Sequence, residues 1–136
     1  MTYMEATFSK QTLAYDRYAL VQLFKALEEF RGVDPEMPAQ GIALFLYSAI
    51  YPGCTMTDLQ KTLGMTQSSC SRNVSALSEW HRLEKPGLGL IVATPDPMER
   101  RRKIVQLTEK GLQLTVSLTE AVMNPVRLSS FSKATR

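Results

Sequence analysis

A chain of 136 residues with 44% hydrophobic and 21% charged side chains is one domain's worth of an ordinary folded protein, which argues against wholesale disorder and against two domains. No apolar run approaches the roughly 18 residues that a bilayer span needs, and the N-terminal segment has no signal-peptide core, so a cytoplasmic protein with no membrane association is expected. The net charge of +3 and pI near 9.0 permit a nucleic-acid partner, and the placement says more than the sum: Arg100, Arg101, Arg102 and Lys103 are consecutive, whereas acids gather at Glu28, Glu29, Asp34 and Glu36.

In chain order, residues 9–31 read as a long helix, with Leu13, Leu20, Leu23, Phe24, Leu27 and Phe30 at three- and four-residue spacings and Arg31-Gly32 as its end. The apolar face is wider than the domain's own core requires, and pairing with a second copy explains the excess. Pro38 suits the first turn of the next helix, AQGIALFLYSAI, which is apolar almost all round and reads as a buried scaffold ended by Tyr51-Pro52-Gly53.

Residues 55–77 carry the clearest local signals. Thr55 and Asp58 have the spacing of a capping box, Leu59 and Leu63 share a face, and Gly64 can end the helix in the left-handed region. Thr66 caps a second helix in which Cys70, Val74 and Leu77 form the core stripe. The other face presents Gln67, Ser68, Ser69, Ser71, Arg72, Asn73 and Ser75, small hydrogen-bonding side chains with no acid before Glu79. Such a face can approach base edges and phosphates, so the unit reads as a helix-turn-helix; a helical hairpin that only packs is the alternative.

Residues 78–86 are expected to extend this second helix, anchored by Trp80 and Leu83, until Pro86-Gly87 breaks it. Residues 88–94 and 103–107 read as strands, and the two prolines and Asp96 between them as a turn, giving a hairpin over 88–107 with a cationic tip. A basic hairpin after a helix-turn-helix has the layout of a wing that neutralises phosphates, although in isolation such a run is a solvated loop. Thr108 caps a last helix over 108–123, and 124–136 is a tail without periodicity. Cys54 and Cys70 with the lone His81 make no metal site, Cys70 reads as a small buried hydrophobe with an oxidant-sensing thiol as its sharper alternative, and His81 reads as a surface residue.

These residues resemble the MarR family of winged helix-turn-helix transcription regulators. Asp96 to Gly111, DPMERRRKIVQLTEKG, is similar to that family's wing signature; Pro52-Gly53-x-Thr55, Asp58-Leu59, Leu63-Gly64, Thr66-Gln67-Ser68 and Ser71-Arg72-x-Val74-x-x-Leu77 match its helix-turn-helix. The chain departs from the pattern at Gln60, where a small residue is usual, at Met98, where an Arg is frequent, at 78–82, which looks like an insertion, and in having 25 residues after Gly111. The resemblance implies a homodimer whose terminal helices interlock, a pseudo-palindromic duplex as partner, and in many relatives a small aromatic effector or an oxidant as signal. It also places Gln67, Ser68, Ser69, Ser71 and Arg72 on the recognition helix and Arg100 and Arg101 on the wing.

The expectation is therefore one mainly α winged helix-turn-helix domain over 1–136, with a small β-hairpin wing and with 9–31 and 108–123 as flanking dimerisation helices. It reads double-stranded DNA through Thr66, Gln67, Ser68, Ser69, Ser71, Arg72 and Asn73, and through Arg100, Arg101, Arg102 and Lys103. The alternative is a winged-helix module that binds a replication, recombination or transcription factor without reading an operator. An enzyme is disfavoured, because no phosphate-binding loop, metal cluster or nucleophile with a base is present, and no cofactor is expected.

Overall fold

The computed structural model describes residues 14–81 and 85–124. In chain order these form α1 (Arg17–Val33), α2 (Ala39–Ile50), β1 (Cys54–Thr55), α3 (Met56–Leu63), α4 (Gln67–Leu77), β2 (Trp80–His81), β3 (Lys85–Pro86), β4 (Ile91–Pro95), β5 (Lys103–Leu107) and α5 (Glu109–Met123). The architecture is the mainly α winged helix-turn-helix expected, with a three-stranded antiparallel sheet in the order β1-β5-β4.

The helix-turn-helix forms where its local signals lie. Thr55 accepts the Asp58 amide at 3.0 Å while the Asp58 carboxylate accepts the Thr55 amide at 3.0 Å, so the capping box satisfies two orphan donors of α3. Gly64 sits at φ 64°, ψ 36°, a backbone region that costs glycine little, and the amides of Gly64 and Met65 both return to the Gln60 carbonyl. The Thr66 hydroxyl then accepts the Ser69 amide at 3.0 Å and opens α4. Cys70, Val74 and Leu77 are buried, and with Leu59, Leu44, Phe45, Leu90, Ile91 and Val105 they form the core. Phe30 of α1 meets Phe45 of α2 edge to face, with centroids 5.8 Å apart, fixing α1 over the scaffold helix.

The wing is bonded to α5 through the Leu-Thr-x-x-Gly segment. The Thr108 hydroxyl donates to the Gly89 carbonyl at 2.6 Å and accepts the Gly111 amide at 3.1 Å, so one side chain caps α5 and holds the loop before β4. A Cβ on Gly111 would collide with the carbonyl oxygen of Leu90. Glycine there lets α5 start against the root of the wing.

Four expectations are corrected. The first helix was expected over 9–31; residues 9–13, and Leu13 with them, lie outside the described residues, residues 14–16 are not helical, and a helix starts at Arg17, where the Asp16 side chain caps the amides of Tyr18 and Ala19. It also runs through Arg31-Gly32 to Val33, since the Asp34 amide still closes on the Phe30 carbonyl. The expected extension of the second helix through 78–86 does not form. Ser78 is extended, and the amides of Leu88, Gly89 and Leu90 take the carbonyls of Ala76, Ser78 and Leu77, so the returning chain occupies the acceptors that another helical turn would need.

The inserted residues instead make a side hairpin, in which Trp80 pairs with Pro86 and His81 with Lys85. Leu83 and the side chains of Trp80 and His81, of which anchoring and surface roles were expected, lie outside the described residues. The first wing strand is Ile91–Pro95 rather than 88–94, because Gly89 and Leu90 are spent on the return along α4 and on capping Thr108. Finally, α2 is buried on one side only: Leu44 and Phe45 are enclosed, but Leu46, Ile50 and Tyr51 face outward. β1 was not foreseen; it is two residues long and exists through its pairing of Cys54 with Val105 and Thr55 with Ile104. The tail beyond Asn124 lies outside the described residues.

Candidate nucleic-acid interface

The two polar clusters singled out in the sequence, one on α4 and one on the wing, come together in space. A groove of about 610 Å³ is lined by Gln67 and Ser71 of α4, by Thr57 and Gln60 of α3, and by Glu99, Arg101, Arg102 and Lys103 of the wing; Ser68, Arg72 and Arg100 do not line it. Gln67, Ser68, Ser71 and Arg72 are exposed along α4 and carry no acid among them. Gln60, the departure from the family's small residue, therefore lies on the groove.

The polar residues singled out on α4 divide into two groups. Ser69 and Asn73 do not stand free: the Ser69 hydroxyl donates to Gln40 Oε1 at 3.1 Å, and Asn73 Nδ2 donates to the same oxygen at 3.3 Å and to the Ser69 carbonyl at 2.9 Å. These two residues fasten α4 to the first turn of α2. Thr66 is likewise occupied as the cap of α4, leaving Gln67, Ser68, Ser71 and Arg72 as the outward set.

The cationic run divides in the same way. Asp96 closes the wing tip: its Oδ1 accepts the Met98 amide at 2.9 Å, and its Oδ2 accepts Arg102 Nη2 at 2.8 Å and Nε at 3.1 Å. This is a fork-shaped, charge-assisted contact in which the carboxylate is only 10% exposed and the guanidinium 48%. The Asp96 amide also donates to the Arg102 carbonyl at 2.8 Å, tying the strand ends together. Arg102 is thus a wing-building residue with one side still open to the groove, whereas Arg100, Arg101 and Lys103 are exposed. The Asp96 contact was missed in the sequence, where Asp96 read only as a turn former; an acid six residues before an Arg across a Pro turn was the available signal. Met98 stands 89% exposed at the tip.

Two carboxylates in these devices ionise more easily than usual. Asp96 is pulled below the ordinary carboxylate value first by the Met98 amide and then by Arg102, and Asp58 first by the backbone amide of Thr55. Each has a folded-state value below its unfolded one, so its contribution is fully present above the unfolded value and is lost as pH falls through the folded value. The urea midpoint is accordingly expected to decline as pH drops below about 4, the unfolded aspartate range, and a D58N/D96N double variant should lose part of that dependence. Equal pH dependence in the variant and wild type would contradict the assignment.

Cys54 and Cys70 are buried, and burial pushes both thiols up, away from the thiolate that oxidants attack. Cys70 packs in the core as a small apolar group, with its Sγ 3.9 Å from the Met56 carbonyl. Among the described residues no helix is long and apolar enough to cross a membrane.

A helix-turn-helix, a return strand at its entry and an antiparallel wing define the class: this is a winged helix-turn-helix protein. Within the class its fold is the MarR type. The chain is similar to the crystal structure of the S. aureus MepR-DNA complex, with 20% identity over 88% of this chain and 82% of that one, at a TM-score of 0.60. It is similar also to the transcriptional repressor CouR bound to a 23-mer DNA duplex, with 28% identity over 80% and 70% of the two chains and a TM-score of 0.55. A third likeness is the PcaV transcriptional regulator from Streptomyces coelicolor in complex with its natural ligand, with 19% identity over 71% and 67% and a TM-score of 0.50. No family model and no curated protein matches the sequence.

Proposed function

We propose that this chain is a transcription regulator that reads double-stranded DNA as a homodimer, in the cytoplasm, without catalysing a reaction. The observation that carries the reading is the shared groove: Gln67 and Ser71 of an acid-free polar helix line it together with the wing cations Arg101, Arg102 and Lys103. A major groove about 12 Å wide admits one α-helix, and α4 offers it Gln67, Ser68, Ser71 and Arg72. Arg100, Arg101 and Lys103 then lie beside the entering helix, where backbone or minor groove passes, with Arg102 holding the tip in shape. The solved complexes of MepR and CouR with DNA support this reading.

The second copy follows from the face left uncovered. α1 exposes Leu20, Leu23 and Leu27, the second of them 66% exposed, and α5 exposes Val116, Val122 and Met123. α1 and α5 pack together, with Gln22 Nε2 donating to the Val122 carbonyl at 2.7 Å, and each carries exposed apolar surface. A two-fold copy covers such a surface with itself and brings two α4 helices to two half-sites. An effector has a place to act: a pocket of about 490 Å³ between α2, β5 and α5, apolar through Leu46, Ile50, Leu107 and Leu112 and carrying Gln106 and Thr115, suits a small aromatic ligand. The ligand complex of PcaV supports that reading.

Fluorescence anisotropy tests the function: purified protein is titrated into short duplexes from beside its own coding region and into scrambled controls, at two salt concentrations. Binding should be tighter on the native duplex and weaken with salt. Weak binding that ignores sequence would favour the protein-interaction module instead. In the same assay R101A should lower the salt slope by about one unit, because one phosphate contact is lost. An unchanged slope would remove Arg101 from the interface.

A further inference from the structure

A residue outside both clusters stands beside the reading face. Gln40, in the first turn of α2, is exposed, and its Oε1 takes the hydrogen bonds from Ser69 and Asn73 of α4. The orientation of its amide is dictated by backbone. The Ser69 carbonyl can only accept, so the Asn73 group facing it at 2.9 Å is Nδ2; that same Nδ2 faces Gln40, which must therefore present oxygen. The Ser69 hydroxyl, free to rotate, donates to the same oxygen.

With Oε1 occupied twice, the exposed Gln40 side chain has only the two N–H groups of its amide nitrogen left to offer, at the edge of α4 next to Ser69, three residues from Arg72. Its partners keep it there: the two donors lock the side chain, so little rotamer freedom remains to be lost when those N–H groups meet an acceptor. Phosphate oxygens flanking the groove that α4 enters accept such donors, and Gln is among the side chains that commonly supply them.

Resting on the DNA-reading function proposed above, we infer that Gln40 is a further DNA-contacting residue: it donates from Nε2 to one backbone phosphate per half-site and, through Oε1, sets α4 on that phosphate. Ser69 and Asn73 thereby act as positioning residues rather than base readers. Because the contact is to a phosphate, its loss weakens binding equally on all sequences, and because Gln40 carries no charge, it leaves the counterion release to the wing.

The test uses the full chain and the duplex that wild type binds, with single methylphosphonates replacing one phosphate at a time. Q40A is expected to lower affinity about 12- to 150-fold, the worth of one hydrogen bond to a charged group, by the same factor on native and scrambled duplexes and with the salt slope unchanged. At one phosphate in each half-site, the methylphosphonate and Q40A effects should fail to add, since either removes the same bond. Q40E keeps an acceptor for Ser69 and Asn73 but presents a carboxylate oxygen outward, so it should bind more weakly than Q40A while melting at the wild-type temperature. Additive effects at every phosphate, or Q40A and Q40E binding as wild type does, would overturn the assignment and leave Gln40 a clamp between two helices. Failure of wild type to bind any duplex is a different result, and would overturn the DNA-reading function itself.

Discussion

Replacing Leu23 with Glu is expected to yield a folded monomer whose affinity for a full palindromic duplex falls on the order of 100-fold or more. Leu23 is 66% exposed in the middle of the apolar stripe of α1, so a carboxylate there is solvated in the single chain and costs its fold little. In a dimer the same carboxylate is buried without a partner, and an unpaired buried charge costs several kcal/mol, enough to dissociate the pair. Each half then binds alone, and the gain from tethering two half-site contacts, roughly 10²–10⁴ in affinity, disappears. Sedimentation equilibrium and anisotropy check both halves of the prediction. A variant that remains dimeric would place the interface elsewhere, and a monomeric variant with unaltered affinity would contradict two-site reading.

R72A is expected to cost about 1–3 kcal/mol of specific affinity, roughly 5- to 150-fold, and to relax preference at one position of each half-site, as loss of a bidentate guanine contact does. Arg72 is the cation of α4 itself, exposed, with no acid on its helix. Its neighbours on α4 cannot substitute for it, because Ser69 and Asn73 are turned to Gln40. Competition with duplexes varied one base pair at a time gives the readout. Equal weakening on every sequence would make Arg72 a phosphate contact, and no weakening would take it out of the interface.

The parts legible in the sequence are those determined by near neighbours in the chain. Thr55 and Asp58, Gly64, Thr66 and Thr108 each act on backbone within three residues or so, and each stands where the reading placed it. The buried stripe of Cys70, Val74 and Leu77 follows from helical period alone. The misreadings came from long-range partners. Nothing near Ser78 announces that Leu88, Gly89 and Leu90 will return to take the last carbonyls of α4, and β1 is a strand only because Val105 and Ile104 lie beside it.

The candidate site shows the same division. Residue types on α4 and the wing were legible, but their assignment to reading or to building was not. Asn73 and Ser69 look like base readers until Gln40, 33 and 29 residues earlier, is beside them. Arg102 looks like its three cationic neighbours until Asp96 is across the turn from it. Polar side chains of these exposed faces are partly consumed by holding the faces in place, and only the tertiary structure shows which ones.

Hydroxyl-radical and dimethyl-sulfate footprinting of the protein on its preferred duplex tests the central claim most directly. A dimer with two α4 helices in successive major grooves predicts two protected half-sites, centred about 10 base pairs apart on one face of the duplex, with wing protection of the backbone or minor groove beside them. Uniform or absent protection at concentrations that saturate binding would contradict operator reading and leave the groove between α4 and the wing as a surface for another protein.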